Sequence, residues 1–245
     1  MHPFQGVATD TLAVPDAEVP TWEQVATTRW GAYVSGVEKR AILYGHQLAG
    51  EPRTALEVGC DGGRWSKMLA DLGWRMICVD INSQALAICQ QRIPTATCIL
   101  ARPEDRTLPC EEKSLGLLLC IEVLPISHAE WFFREAVRTL EDDGVLVIMT
   151  WNSWSLRGLF SYVRERLVGG FSFYETAYTT WKKRVAESGL RITYEEGFCW
   201  FPFHRASDSK FVPYAASAEK HMGLRRLTTM SPWVVVVLKK TLKKS

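Results

Sequence analysis

From residue 54 to residue 150, short apolar runs alternate with amphipathic stretches, and this rhythm restricts the chain more than any other feature. TALEV (54–58), RMICVD (75–80), TCIL (97–100), LGLLLCIEV (115–123) and VLVIMT (145–150) are mainly apolar and have the length of strands. After the first, Trp65, Met68, Leu69 and Leu72 recur at i, i+3, i+4 and i+7, the spacing of one helix face, and Gly73 ends the pattern. Ser83 to Arg92 reads as the next helix. Ser127, with Glu130 three residues later, reads as a capping box opening a helix whose buried face is Phe133, Ala136, Val137 and Leu140. Asp143-Gly144 then turns the chain into the fifth strand. Strands that are apolar on both faces and separated by helices imply a parallel sheet covered on both sides.

The flanks are read in the same way. Trp22 to Leu48 is expected to be helical, as are Ser155 to Val168 and Tyr178 to Ser188, the last closed by Gly189. Strands are expected at 191–200 and 233–238, separated by a polar loop rich in Ser, Pro and Ala. Residues 1–20 show no apolar period and read as a mobile arm. The expectation is one domain over 21–240: an N-terminal helical cap (21–50), a ligand-binding core (52–152), and a lid and second-substrate region with late strands (153–230).

Composition narrows the partners. A chain of 245 residues, 47% hydrophobic, can bury a sizeable core. A net charge of +2 gives no mandate for nucleic acid, and the one basic run, Lys239 to Lys244, reads as a solubilising tail, with a phosphate or membrane-surface contact as the alternative. The seven cysteines are odd in number and contain no CxxC pair, so reduced thiols are expected, with no metal site. The N-terminus lacks the pattern of a signal peptide, and the longest apolar runs are too short to span a bilayer. The expectation is a cytoplasmic protein, monomer or homodimer, with no membrane partner.

The segment ALEVGCDGGRW (55–65) carries the chemistry. A strand enters a glycine turn that opens a helix, so backbone can approach a ligand closely and present N–H groups. Glu57 lies two positions before Gly59, and Asp80 ends the next strand, 23 positions after Glu57. In a doubly wound sheet those two strand ends lie side by side where ligands bind, and an acid there can accept both hydroxyls of a ribose. A dinucleotide site would need G-x-G-x-x-G, which Gly59-Cys60-Asp61-Gly62-Gly63 does not supply. A carboxylate at Glu57 also favours an ammonium over a pyrophosphate. A turn that holds no ligand is the plainest alternative.

These residues resemble the class I S-adenosylmethionine-dependent methyltransferases, especially the small-molecule group with the motif E/D-x-G-C-G-x-G. The resemblance covers 54–150 well and extends loosely to 238. It implies an α/β fold with a doubly wound, seven-stranded, mostly parallel sheet whose last strand is antiparallel, N-terminal helices, and a helical, aromatic lid inserted after strand five. It implies S-adenosylmethionine as cofactor, with Glu57, Gly59 and Gly63 around the methionine moiety, Asp80 on the ribose and Ile81 against the adenine. Glu104 or Asp105 would approach the adenine amino group, and the backbone of Cys120 and Ile121 the methionine amine. Asp61 stands where the family has a glycine, and aspartate tolerates positive φ better than most residues. Arg102 and Pro103 stand where the family contacts adenine, and Gly116 replaces a common aspartate.

The implied activity is methyl transfer to a small-molecule O, N or C nucleophile. The alternative is a protein that binds the cofactor without transfer, and a protein or RNA methyltransferase is a third reading, with no basic stripe to support RNA. Candidate acceptor contacts are Trp30, Tyr33, Trp151, Tyr178 and Trp200, an aromatic set that is equally readable as a second core. His204 and His128 are the candidate bases, each with an ordinary structural role as its alternative.

Overall fold

The computed structural model describes residues 21–169 and 174–241; the arm expected at 1–20 and the end of the basic run lie outside the described residues. Strands β1 (Thr54–Val58), β2 (Arg75–Asp80), β3 (Thr97–Leu100), β4 (Leu115–Cys120), β5 (Leu140–Trp151), β6 (Leu190–Phe198) and β7 (Trp233–Lys240) form one sheet in the order β3-β2-β1-β4-β5-β7-β6. The first five run parallel, and β7 is antiparallel to both of its neighbours. The chain reverses its walk across the sheet between β1 and β4, so the C-terminal ends of those strands open a crevice.

Helices α1 (Thr21–Ala26), α2 (Arg29–Ala49), α3 (Arg64–Asp71) and α4 (Ser83–Arg92) precede the centre of the sheet. Val34, Val37 and Ala41 of α2 and Leu69 of α3 pack on the face formed by Leu117, Val145, Val147 and Val235. The opposite face, carrying Leu118, Leu146, Ile148 and Val236, is covered by α6 (Glu130–Thr139) and α8 (Tyr178–Ser188) through Phe132, Phe133 and Trp181. Alternate residues of β5 and β7 thus enter different cores, which is why these strands read as unbroken apolar runs.

Several local readings are corrected. The helix expected at 22–48 breaks after Ala26, where Thr28 accepts the Gly31 N–H at 3.0 Å and caps α2. A Cβ at Gly31 would lie 1.9 Å from the Val25 carbonyl oxygen, so the chain can fold back only on glycine. Strand β4 stops at Cys120 instead of 123. The capping box does not form: Ser127 ends a short helix, α5 (Leu124–Ser127), and donates to Leu124 O, while α6 begins after Ala129 with no side-chain cap. Asp143-Gly144 lies inside β5, where the pairing steps from Leu115–Leu140 to Leu117–Val145. A helix, α7 (Leu156–Val168), follows β5 as expected, with Ser155 as its cap. The polar loop between the late strands contains a helix, α9 (Val212–His221).

Candidate functional site

The glycine turn lies at the C-terminal end of β1. Gly59 has φ +70°, and a Cβ there would fall 2.3 Å from Val123 Cγ2, so the turn and the loop after β4 touch through glycine. Gly63 has φ +77°, and a Cβ would meet Cys89 Sγ at 2.5 Å. Asp61 takes φ +47°, as an aspartate in a glycine position can. Its N–H donates to Asp80 Oδ2 at 2.9 Å, and Asn82 N–H donates to Asp80 Oδ1 at the same distance. Asp80 is thereby fixed at the end of β2, and each oxygen keeps a lone pair for a further donor.

The turn forms one wall of a cavity lined by Glu57, Gly59, Asp61 and Asp80 and, across it, by Glu38 of α2 and Ile121, Glu122 and Val123. Glu57 is 2% exposed; burial pushes its carboxyl up to about 8, although Ser66 Oγ donates to it at 2.5 Å. Glu38 is fully buried on one side of α2 and pairs with Arg64 at 3.2 Å. Glu122 pairs with Arg205 at 3.1 Å. Glu122 also has φ +59°, a left-handed conformation that non-glycine residues adopt at a cost of about 1–3 kcal/mol and that concentrates at functional positions.

Glu38 and Glu122 line the same cavity and influence one another electrostatically. Each has a buried Oε1 with no hydrogen-bond partner among the described residues. Burial first, then the neighbouring carboxyl, raises Glu122 well above the usual carboxylate range; burial also raises Glu38, against the pull of Arg64. Both buried carboxyls are thus shifted toward their neutral forms. The lid of this arrangement comes from afar: the Arg205 guanidinium, on the segment after β6, lies 4.1 Å from the centre of the Trp22 ring, and Trp22 lines the cavity.

Of the residues singled out by sequence, Glu57, Gly59, Asp80 and Ile121 line the cavity. Cys120 is fully buried at the end of β4. Ile81 is exposed beside Asp80, and Glu104 and Asp105 are exposed on the loop after β3, where Asp105 accepts the Arg102 N–H at 2.8 Å. None of these three borders the cavity.

The aromatic candidates are chiefly core. Trp233 stacks on Trp151 with centroids 4.7 Å apart and receives Trp30 edge-on at 5.4 Å. Tyr33 donates to Glu219 and accepts the Cys199 N–H at 2.9 Å. Trp200 N–H also donates to Glu219, at 2.9 Å. Tyr178 is buried on the opposite face of the sheet, stacked on Trp181 and donating to Glu195 at 2.6 Å. The histidines are not brought into the cavity lining either: His204 is exposed, and burial lowers His128 to about 4, a neutral and weakly basic imidazole beside Thr150.

Sequence reasoning missed Trp22, Glu38, Arg64, Glu122 and Arg205. One signal was available for Glu38. Val34, Val37, Glu38, Ala41 and Ile42 fall at helix spacing and are all buried, so the acid interrupts an apolar face. A sequence spacing also hid a second cluster: Cys60, Cys78 and Cys89 bring their sulfurs within 4.8 Å of one another beneath the turn, where Cys78 lies 3.2 Å from Ser66 Oγ.

Residues 56–148 match the family described as "Methyltransferase domain". No curated protein matches the chain. Among solved structures, an S-adenosylmethionine-dependent methyltransferase from Mesorhizobium loti is similar at 16% identity with a TM-score of 0.58, over 85% of this chain and 100% of that one. One from Methanosarcina mazei is 15% identical, TM-score 0.57, over 82% and 98%. A geranyl diphosphate C-methyltransferase from Streptomyces coelicolor, solved with S-adenosyl-L-homocysteine, is 12% identical, TM-score 0.57, over 84% and 76%. At these identities the structures establish a shared fold.

Proposed function

We propose that this chain is a class I S-adenosylmethionine-dependent methyltransferase, a reading supported by the match of residues 56–148 to the methyltransferase-domain family, and that it transfers a methyl group to a small-molecule acceptor, with Glu38 and Glu122 receiving the acceptor's proton. The observation that carries this reading is the mainly acidic cavity: Glu38, Glu57, Asp61, Asp80 and Glu122 line it against the one guanidinium of Arg64 among the lining residues, with orphaned oxygens on Glu38 and Glu122. That donor set fits a cationic, hydroxyl-bearing ligand and repels a pyrophosphate.

When bound, S-adenosylmethionine supplies an electrophilic methyl group on a sulfonium. The chain's own residues have four tasks. Asp80, held by Asp61 and Asn82, offers its remaining lone pairs to the ribose hydroxyls. Glu57 offers a carboxylate to the methionine ammonium; its raised pKa means that the cation and the ionised acid form together. Trp22, pinned under Arg205, excludes water from the reacting side. The Oε1 atoms of Glu38 and Glu122 accept the proton that an O–H, N–H or C–H nucleophile gives up. Alignment of donor and acceptor supplies roughly 7–11 kcal/mol of barrier reduction, and the proton acceptor adds to it.

Asp80→Ala is expected to weaken cofactor binding by more than about tenfold, since hydrogen bonds to a charged group contribute about 1.5–3 kcal/mol each. It also frees the Asp61 N–H and so loosens the turn. Titration of S-adenosylhomocysteine into the variant checks this; an unchanged affinity would put the ribose elsewhere.

A further inference from the structure

Helix α7 carries a row of exposed large apolar side chains. Leu156 (80% exposed), Leu159, Phe160, Val163 and Leu167 are all exposed, and at 100° per residue they fall within an arc of about 100°. The protein covers the opposite side only at the start of the helix, at Gly158 and the half-buried Ser161, while Tyr162, Glu165 and Val168 further along are exposed too; Gly158 is buried so tightly that a Cβ would meet Ser153 O at 2.4 Å. Trp154, 76% exposed, precedes the helix and extends the apolar surface. Exposed apolar residues scattered singly are ordinary, whereas a contiguous row of this kind marks an interaction surface.

The charges say which surface. Arg164 falls on one flank of the apolar arc and Arg166 on the other. Arg164 makes no ion pair among the described residues, and Arg166 lies 5.2 Å over the Tyr162 ring on the same helix. An apolar stripe bordered on both sides by arginines, with an exposed tryptophan at its end, complements the apolar and anionic layers of a lipid leaflet. Composition gave no sign of this, because the net charge is near neutral and no described helix is long and apolar enough to cross a membrane.

We propose that α7 lies in the surface of an anionic lipid bilayer, apolar arc down, with Arg164 and Arg166 against the headgroups. The helix is anchored for this by its third arginine, since Arg157 Nη2 donates to the carbonyls of Phe201 at 2.6 Å and Phe203 at 3.2 Å. That same segment carries Arg205, which closes on Glu122, so the surface lies beside the cavity. The proposal does not depend on the methyl-transfer reading.

The test is co-sedimentation of the purified chain with vesicles of phosphatidylglycerol and of phosphatidylcholine, with light scattering of the free protein alongside. The expected result is binding to the anionic vesicles that weakens as salt rises. Leu159→Glu with Phe160→Glu should reduce it by more than about tenfold, because two apolar contacts become like-charge repulsions. Arg164→Ala with Arg166→Ala should abolish the preference for anionic lipid. Both residues of the first pair are exposed, so melting temperature and S-adenosylhomocysteine affinity should not change. Absence of binding to either vesicle would overturn the proposal. So would a dimer of the free protein that the Leu159 and Phe160 substitutions dissolve, because the face would then belong to a second copy.

Discussion

Gly59→Ala should destabilise the fold by about 2–5 kcal/mol, summing the left-handed backbone and the overpacking terms, and weaken cofactor binding by on the order of 100-fold. The residue has φ +70°, where any Cβ is strained. The new methyl would also lie 2.3 Å from Val123 Cγ2, on a β-branched side chain with few other rotamers. Val123 follows Glu122, so relief of the clash moves both walls of the cavity at once. Gly189→Ala is the control: φ is +93° there, but nothing lies within 4 Å of the added Cβ. It should cost only about 1–2 kcal/mol and leave cofactor affinity unchanged. Thermal melts and ligand titrations on the two variants separate backbone strain from the close approach. Equal affinities in both would mean that the Gly59–Val123 contact does not shape the site.

The second large effect concerns the paired acids. Glu122→Gln, or Glu38→Gln, should lower the rate of methyl transfer by about 10²–10⁴-fold, the range of a lost general base. A binding measurement reaches the same pair before any acceptor is known. Burial raises both carboxyls, and for Glu122 the neighbouring Glu38 adds to it. A cation brought beside them favours the ionised form, so the raised pKa falls and the proton leaves. Calorimetry in two buffers of different ionisation enthalpy should therefore show more proton release with S-adenosylmethionine than with S-adenosylhomocysteine, which lacks the sulfonium charge. The difference should shrink in Glu38→Gln. An equal release for both ligands would place the acids away from the transferred methyl.

What the sequence disclosed follows from distance along the chain. The turn at Gly59–Gly63, the acid at Asp80 and the strands and helices from 54 to 100 are local patterns, and their boundaries were readable almost to the residue. The positive φ of Asp61 belongs with these. The dyad was not readable, because Glu38, Glu122 and Arg205 come from α2, the loop after β4 and the segment after β6, which only the folded sheet brings together. Ser127 and Glu130 had the spacing of a capping box, yet the pull of Trp181, whose Nε1 donates to Ser127 O at 2.7 Å, leaves Ser127 in a separate helical turn. The aromatic residues could be read as an acceptor pocket or as a second core, because composition cannot distinguish the two; Trp30, Trp151 and Trp233 pack against one another. The helix at α7 was expected, but the expectation did not say which side the protein would cover.

The central claim is that the glycine turn and its acids hold S-adenosylmethionine. Isothermal titration of the purified chain with S-adenosylmethionine, S-adenosylhomocysteine and NADH tests it most directly. Micromolar binding of the two adenosyl ligands and none of NADH is the expected result. Folded protein that takes up neither adenosyl ligand would contradict the account, since the acidic cavity would then have to serve some other cation.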